Sequence, residues 1–476
     1  VQIIIFGLGR EGYSSYQFLR KVIPKAEIIL TDDLPLEKLT TDWKTILIHD
    51  SKTAFVQTRH FNSKTDNQTV VVLSPGIKPT HKLLINLRAN QAFITSNTQL
   101  FLEICRPDMA ASHILSTHLP KLHKLPLVIG ITGTKGKSTT TAVIYHLLEQ
   151  AGLTTFLAGN IGKPALDLLP LMTQSPSKKP LILVLELSCH QLNSVSISPH
   201  IAVVQAITPE HLDYYPDFQT YQKAKLHITQ FQKQDDLLIF NADNNTTVSL
   251  AQNSQAQKLC FSLNNKACAC YLKAQKLYLH DLSLIRDEDL QLKGQHNLLN
   301  VMPAMIIAQH LGVSPKKINQ HLQTFLPLPH RLELVTQQNG ISFYNDSLST
   351  TPESAIAAIK SFPQQSLILI AGGFDRGLDY SRLAKTILEL KVKWAILLPE
   401  TGNKIANHLK TLEVNYNQLT LVPTLSAAIL ETKKHLVSGD IVLLSPGSAS
   451  FNQFKDYQDR GNTFKKLVLQ TTNRDL

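Results

Sequence analysis

The sequence predicts an α/β protein of three blocks, each built on a largely parallel sheet, and three observations carry that expectation. Strand-like apolar runs alternate with helix-like stretches along nearly the whole chain, and strands separated by helices pair in parallel. Two strand-to-helix junctions are glycine-rich, "GLGREG" at Gly7–Gly12 and "GITGTKGKST" at Gly130–Thr139, the kind of turn that opens a phosphate-binding crossover unit. The 476 residues (53.1 kDa), 43% hydrophobic with mean hydropathy −0.04, can bury several cores, which sets two to four domains.

The first block, 1–96, opens with the strand "IIIF", a glycine turn, a helix through Leu19 and a second strand, "EIILTDD". The second, 97–328, begins with the linker "RPDMAASHILSTHLPKLHKLP" ahead of its opening strand and ends in a β-rich stretch with two strand-like runs, "KLCFSL" and "ACYLKAQKLYLH". The third, 329–476, alternates cleanly: "ISFYND", a helix from Pro352, "SLILIAGG", helix, "WAILLPE", helix, "LTLVP", helix, "DIVLLSPG", helix. No short internal repeat interrupts this order.

Composition narrows the function. A net charge of +11 and a pI near 9.2 raise the question of nucleic acid. The basic residues, however, come singly or in pairs such as Lys316-Lys317 and Lys465-Lys466, which is a dispersed field suited to small polyanionic substrates. Five cysteines without framework spacing predict reduced thiols, and Cys268-Ala-Cys270 lacks a second Cys/His pair and reads as structural. No apolar run approaches the ~20 residues that span a bilayer, and the N-terminal stretch lacks a signal-peptide pattern. A cytoplasmic location and no membrane insertion are expected.

The strongest chemical signal is the second glycine turn. It departs from a strict Walker A, because Ile131 stands where the first glycine belongs. What remains still does the work: backbone N–H groups of Gly133, Thr134, Lys135 and Gly136 and a helix N-terminus face the phosphates, Lys137 reaches the outer ones, and Ser138 and Thr139 bring hydroxyls, that of Ser138 to Mg²⁺. The alternative, an ordinary glycine turn with a surface lysine, leaves the register of strand, loop, lysine and hydroxyl unexplained. In the first turn, Gly9, Arg10 and Glu11 open a helix, and Asp32 and Asp33 close the next strand, a dinucleotide-like pattern that would equally hold the diphosphate of a UDP-linked substrate or no ligand at all. "LSPG", ending at Gly76, is a further junction on that block.

Other candidates are weak singly. Glu186 ends a buried apolar strand, where a carboxylate calls for a cation and Mg²⁺ is a fitting one. "EHLDYYPDFQTYQKAKLHI" offers His211, Asp213 and Lys225, each more often a core or surface residue than a ligand. "GQHN" brings Asn297, "LPHRLELV" Arg331, and "FYNDSLST" Asp346. "IAGGFDRGLDY" and "LLSPGSASFNQF" also follow strands, so these loops are expected to share one sheet edge with Asp346.

Together these motifs resemble the Mur ligase family, in the branch that joins glutamate to UDP-N-acetylmuramoyl-L-alanine for peptidoglycan. The match runs along nearly the whole chain in order: "GLGREG", "SPGI", "TGTKGKST", "GNIG", "ELSCHQL", "EHLD", "AKLHI", "GQHNLLN", "HRLE", "NDS", "GGFDRG" and "SPGSASFNQF" with a later "RG". The resemblance implies a monomeric three-domain ligase: a Rossmann-like domain for the UDP sugar, a central ATPase-type domain with an extra β segment, and a C-terminal Rossmann-like domain for the amino acid. It assigns Lys137 and Ser138 to ATP and Mg²⁺, Glu186 to the metal, His211 to a second Mg²⁺, and Lys225 to the lysine that the family carbamylates. Asn297, Arg331 and Asp346 would hold the nucleotide. Asn160 would face the UDP substrate; Thr350, Arg376, Ser450 and Tyr457 the incoming glutamate. Catalysis would rest on Lys137, Lys225, His211 and Asp346. The implied chemistry activates a carboxylate by phosphoryl transfer from ATP, and the glutamate amine attacks the acyl phosphate.

Four departures bear on amino-acid recognition: Leu348 where the branch has Lys, Arg376 where Lys or Arg occurs, "SPGSAS" for "SPACAS", and Lys135 for Asn. D-glutamate is the expected substrate and L-glutamate the alternative. A folylpolyglutamate-type ligase fits the first block poorly, an NAD-dependent oxidoreductase leaves the phosphate loop without a use, and a non-catalytic nucleotide-binding or nucleic-acid-binding protein remains a competing class.

Overall fold

The computed structural model describes residues 2–475 except 63–64, 175–179, 213, 293, 364 and 413–416; the candidate Asp213 lies outside the described residues. The fold is the mixed α/β arrangement that the alternation predicts. Two compact units form, one from residues 1–285 and 299–322, the other from 286–298 and 323–476.

The first unit carries two sheets. Its five-stranded sheet takes the strands Gln2–Phe6, Glu27–Thr31, Thr53–Phe55, Thr69–Leu73 and Phe93–Thr95 in spatial order 3-2-1-4-5, all parallel. The central strand is Ile-rich and buried from Ile3 to Phe6, as a parallel sheet covered on both faces requires. The order reverses at this first strand, so the glycine turn after Phe6 sits at the switch point where a ligand crevice opens. The following helix, Arg10–Val22, runs one turn beyond Leu19 and ends in Arg20 and Lys21, cations placed well at a helix C-terminus.

The second sheet of this unit has nine strands. Leu127–Thr132 lies between Leu181–Glu186 and Ile201–Val204, and Thr154–Gly159 forms the edge beyond Leu181–Glu186. On the other side follow Leu237–Asn241 and Gln257–Ser262, both parallel. "ACYLKAQKLYLH" is not one run but a hairpin, Cys270–Lys273 with Lys276–Leu279, closed by Ala274 and Gln275, both at positive φ (48° and 58°). A further strand, Leu282–Arg286, completes the edge.

The expectation of five reduced thiols fails at one pair. Cys260 and Cys268 are joined as a disulfide, because the loop after Gln257–Ser262 returns Cys268 to within 4.9 Å (Cα–Cα) of Cys260, a separation a bridge can span. Cys105, Cys189 and Cys270 are free and buried.

The second unit contains a six-stranded sheet of Glu333–Gln338, Ile341–Asn345, Leu367–Gly372, Trp394–Leu398, Leu419–Leu421 and Ile441–Leu444, in order 1-2-6-3-4-5. Only its first strand, absent from the expectation, is antiparallel. Apolar clusters cover both faces, one around Leu369, Leu383 and Leu397 and one around Ile370, Val442 and Phe464. No helix among the described residues is long and apolar enough to cross a membrane.

Candidate active site

The first unit builds a phosphate loop between strand Leu127–Thr132 and helix Lys137–Gln150. The loop closes on glycines for steric reasons. Gly136 caps the helix at φ +84°, and a β-carbon there would strike Asn300 Oδ1; Gly133, at φ +151°, leaves no room against Gln205. Behind the loop, Thr134 Oγ1 donates to Thr208 O (3.0 Å) and accepts from Thr208 N–H (2.9 Å), while Gln205 Nε2 donates to Thr140 Oγ1 (2.8 Å). Lys135 is exposed and ion-paired with Glu210. Ser138 and the buried Thr139 occupy the first helical turn.

Two lysines converge here. Lys137 Nζ donates to the carbonyls of Gly133 (3.0 Å) and Thr134 (2.8 Å), so its ammonium spans the mouth of the loop. Lys225 comes from helix Phe218–Gln230, is 1% exposed, and donates from Nζ to the same Gly133 carbonyl (2.7 Å). Burial first, and then the neighbouring Lys137 charge, pull the Lys225 ammonium down from its ordinary value to about 7. Burial also lowers Lys137, against the opposing pull of Glu186 and Glu210.

Glu186 ends its strand at 1% exposure. Its Oε1 accepts from Asn160 Nδ2 (2.7 Å), which therefore lies over the carboxylate, and its Oε2 is buried without a hydrogen-bond partner among the described residues. An orphaned carboxylate oxygen beside a phosphate loop fits a hard cation such as Mg²⁺. His211 sits at φ +56° with its side chain 43% exposed, 3.8 Å from Glu210 Oε2 and edge-on to the His190 ring at 4.9 Å.

A second cleft of the same unit, about 400 Å³, is lined by Gly9, Arg10, Glu11, Asp32, Ser74 and Gly76, among others. Asp32 is already engaged: its oxygens accept from Leu8 N–H (2.7 Å) and Leu34 N–H (2.9 Å), so it braces the glycine turn. Asp33 points elsewhere, to Thr58 Oγ1 (2.6 Å) and His81 (3.1 Å). Arg10 donates to the carbonyls of Gly162 (3.0 Å) and Asn160 (3.2 Å), linking this cleft to the loop around Asn160. Glu11 accepts from Gln191 Nε2 (2.6 Å), and burial raises its carboxyl to about 7.

In the second unit three loops meet at the carboxyl ends of adjacent strands. Asp346, 3% exposed, accepts from Ser349 Oγ (2.5 Å), Ser445 Oγ (2.7 Å) and Leu332 N–H (3.2 Å); burial lifts it to about 6 against those bonds and Arg331. The same Arg331 charge, after burial, depresses His296 to about 4, beside the buried Asn297. The loop after Gly372 is tied to the one after Leu444 through Gly372 N–H to Pro446 O (2.8 Å) and Phe374 N–H to Ala449 O (2.9 Å). Ser450 is buried in that second loop, Thr350 and Tyr457 are half-buried, and Arg376 is exposed.

Sequence reasoning missed the residue that joins these loops. Arg460 is 1% exposed; its Nε and Nη2 donate to Ser347 Oγ and O (both 2.9 Å), and Nη1 to Ser448 O (3.0 Å) and Ala449 O (3.1 Å). Its only signal was the "RG" pair after the serine loop. Gln191, which holds Glu11, was likewise visible only inside "ELSCHQL".

Fold and site together define an α/β protein with a phosphate-loop nucleotide site and a second open sheet that gathers polar loops at one edge. The Mur ligase middle domain family matches residues 131–308, and the Mur ligase glutamate ligase domain family matches residues 330–447. The UDP-N-acetylmuramoylalanine--D-glutamate ligase of Natranaerobius thermophilus is 32% identical over 471 residues, 98% of this chain and 97% of that protein. The enzyme of the same name from Aquifex aeolicus is 31% identical over 98% of both. The chain belongs to the Mur ligase family. Among solved structures, the UDP-N-acetylmuramate-alanine ligase MurC of Thermotoga maritima aligns over 99% of both chains with TM-score 0.59 at 16% identity. The MurF ligase of Thermotoga maritima, solved with ADP, aligns over 86% of this chain and 96% of its own with TM-score 0.56 at 16% identity. At such identity the likeness carries the fold alone.

Proposed function

We propose that this chain is an ATP-dependent amide ligase of peptidoglycan precursor synthesis, joining D-glutamate to UDP-N-acetylmuramoyl-L-alanine. In this reading residues 1–96 hold the UDP sugar, 97–328 ATP, and 329–476 the amino acid. The observation that carries it is the phosphate loop itself, where Lys137 spans the loop mouth and the unpaired Oε2 of Glu186 is buried beside it.

The chemistry follows from charge. A carboxylate resists an amine because its leaving group would be oxide; phosphorylated, it becomes an acyl phosphate with a good one. Lys137 and the loop N–H groups neutralise the phosphates, and Mg²⁺ held by Ser138 and Glu186, and at a second position by His211 and Lys225, would supply the remaining positive charge. Lys225 would act as its carbamate. An amine held near pKa 7 is substantially neutral at neutral pH, hence nucleophilic toward CO₂, and the product keeps one N–H to donate to Gly133 O. Asn297, Arg331 and Asp346 are our candidates for nucleotide contacts, and Thr350, Arg376, Ser450 and Tyr457 for glutamate.

Leu348 favours a second reading, L-glutamate as substrate, because it removes a cation near the "DS" pair. Phosphate release measured with UDP-N-acetylmuramoyl-L-alanine, ATP and each enantiomer separately tests both. The D form should react at least ~10-fold faster, about 1.4 kcal/mol of differential transition-state binding. A reversed preference transfers the chain to L-glutamate. Absence of turnover with either removes the ligase reading.

A further inference from the structure

The loop that carries Arg376 is clamped onto the start of helix Thr401–Leu412. Gly373 O accepts from the N–H groups of Glu400 (2.9 Å) and Thr401 (3.0 Å), and Gly373 N–H donates to Thr401 Oγ1 (3.0 Å). Thr401 Oγ1 also meets Ser448 Oγ (2.6 Å), so the clamp belongs to the same sheet edge as Ser450. Two residues beyond Gly373, one carboxylate takes over. Asp375 Oδ1 accepts from Gly377 N–H (2.9 Å), Asp375 Oδ2 accepts from Lys404 Nζ (2.6 Å), and Asp375 N–H donates to Glu400 Oε2 (3.1 Å). The backbone is thereby pinned on both sides of Arg376. Arg376 itself is exposed and has no hydrogen bond or ion pair among the described residues.

Charge makes Lys404 more than a tether. Asp375 adjoins Arg376 in the chain, and Glu400 is bonded to the same turn, so two carboxylates stand where a dicarboxylate substrate is to be received. The hydrogen bond from Lys404, and then that from Gly377 N–H, hold the Asp375 carboxyl below its usual range, as a paired carboxylate requires. Without Lys404, Asp375 would repel the incoming anion and compete for the guanidinium fork next to it. The pair is also a poor candidate for a purely stabilising contact. Lys404 is 47% and Asp375 27% exposed, and an ion pair that open to water adds little to folding.

We propose that Lys404 is a positioning and specificity residue for the amino-acid substrate: by pairing with Asp375 it fixes the loop and leaves the Arg376 guanidinium open to a carboxylate of glutamate. The inference rests on the ligase reading and on Arg376 as the glutamate cation. With Leu348 where a lysine could have stood, an unpaired Arg376 matters the more.

Steady-state phosphate release by the full-length protein, with the glutamate enantiomer that the wild type uses, tests it. Lys404→Ala should raise KM for glutamate at least ~10-fold, with kcat and KM for ATP within about twofold and the thermal transition unmoved. Lys404→Arg, which can still pair with Asp375, should stay close to the wild type. Adding Asp375→Asn to Lys404→Ala should bring KM for glutamate back to within about threefold of the wild type, because Asn keeps the acceptor for Gly377 N–H and removes the charge. Lys434→Ala, which breaks an exposed pair with Glu431 elsewhere, should change neither KM. An unchanged KM for glutamate in Lys404→Ala, an equal rise in KM for ATP, or no recovery in the double variant overturns the proposal while the wild-type turnover leaves the ligase reading standing. Absence of turnover in the wild type removes that reading, and the role of Lys404 with it.

Discussion

Lys137 and Lys225 share one acceptor, the Gly133 carbonyl, yet their environments ask different things of them. Lys137 is half-buried and placed at the loop mouth as a fixed positive charge. Its replacement by Ala should therefore lower ligation on the order of a thousandfold while the fold persists, read as kcat beside an unchanged thermal transition; a variant retaining a tenth of the rate would remove Lys137 from the chemistry. Lys225 is a buried cation held near pKa 7 against an ordinary 10.5. Between those values the unfolded chain binds the proton and the folded chain does not, so this residue's contribution to stability rises with pH across that window and its full penalty is felt below it. Denaturation of wild type and Lys225→Met from pH 6 to 9 should show a steeper rise with pH in the wild type. ¹³C-bicarbonate should label the Lys225 side chain, with a carbamate signal that fades as the pH falls below about 7. Parallel stability curves, or no label in active protein, would set the carbamate aside.

Loops and strands follow a different logic, in which a few residues fix the turn and the ligand is met by backbone. Gly136 combines a left-handed φ with contact on Asn300, so Gly136→Ala should cost roughly 2 kcal/mol or more and abolish nucleotide binding, seen by calorimetry with ADP. Arg460 joins the Ser347 and Ser448–Ala449 loops through four hydrogen bonds. A lysine cannot reproduce that planar fork. Arg460→Lys should lose about two of the bonds, roughly 2–3 kcal/mol, and raise KM for glutamate about tenfold with KM for ATP little changed; equal effects on both would make Arg460 a general brace. This is also the scale at which the sequence was most and least legible. Buried Ile/Val runs and glycine turns announce parallel strands and phosphate loops, because a strand covered on both faces has no polar alternative. The hairpin at Ala274-Gln275 was hidden, since neither residue is the Gly or Asn that a positive φ favours, and so was edge strand Glu333–Gln338, which alternates only weakly in burial. Partnerships were hidden altogether: nothing in a sequence says that Asp32 braces Leu8 and Leu34, or that Cys268 folds back on Cys260.

At the scale of the whole chain, 47 basic residues against 36 acidic leave +11, and many of the acids are occupied. Asp32 is bonded to backbone, Glu210 to Lys135, and Asp375 to Lys404. The basic residues come singly or in pairs along the chain rather than in runs, a pattern that suits a long-range attraction to small polyanions. For the proposed substrates, a nucleotide triphosphate and a UDP sugar acid, such a field acts on encounter and not on the bound state. The screening length shrinks from about 30 Å at 10 mM salt to about 10 Å at 0.1 M. kcat/KM for the UDP substrate should then fall several-fold between about 10 mM and 0.3 M KCl while kcat stays nearly constant. The double variant Lys316→Glu with Lys317→Glu, on the exposed face of helix Pro315–Thr324 and outside every site residue named above, should flatten that dependence without altering kcat. A salt effect confined to kcat, or a double variant whose salt dependence matches the wild type, would mean that the charge serves something other than substrate capture.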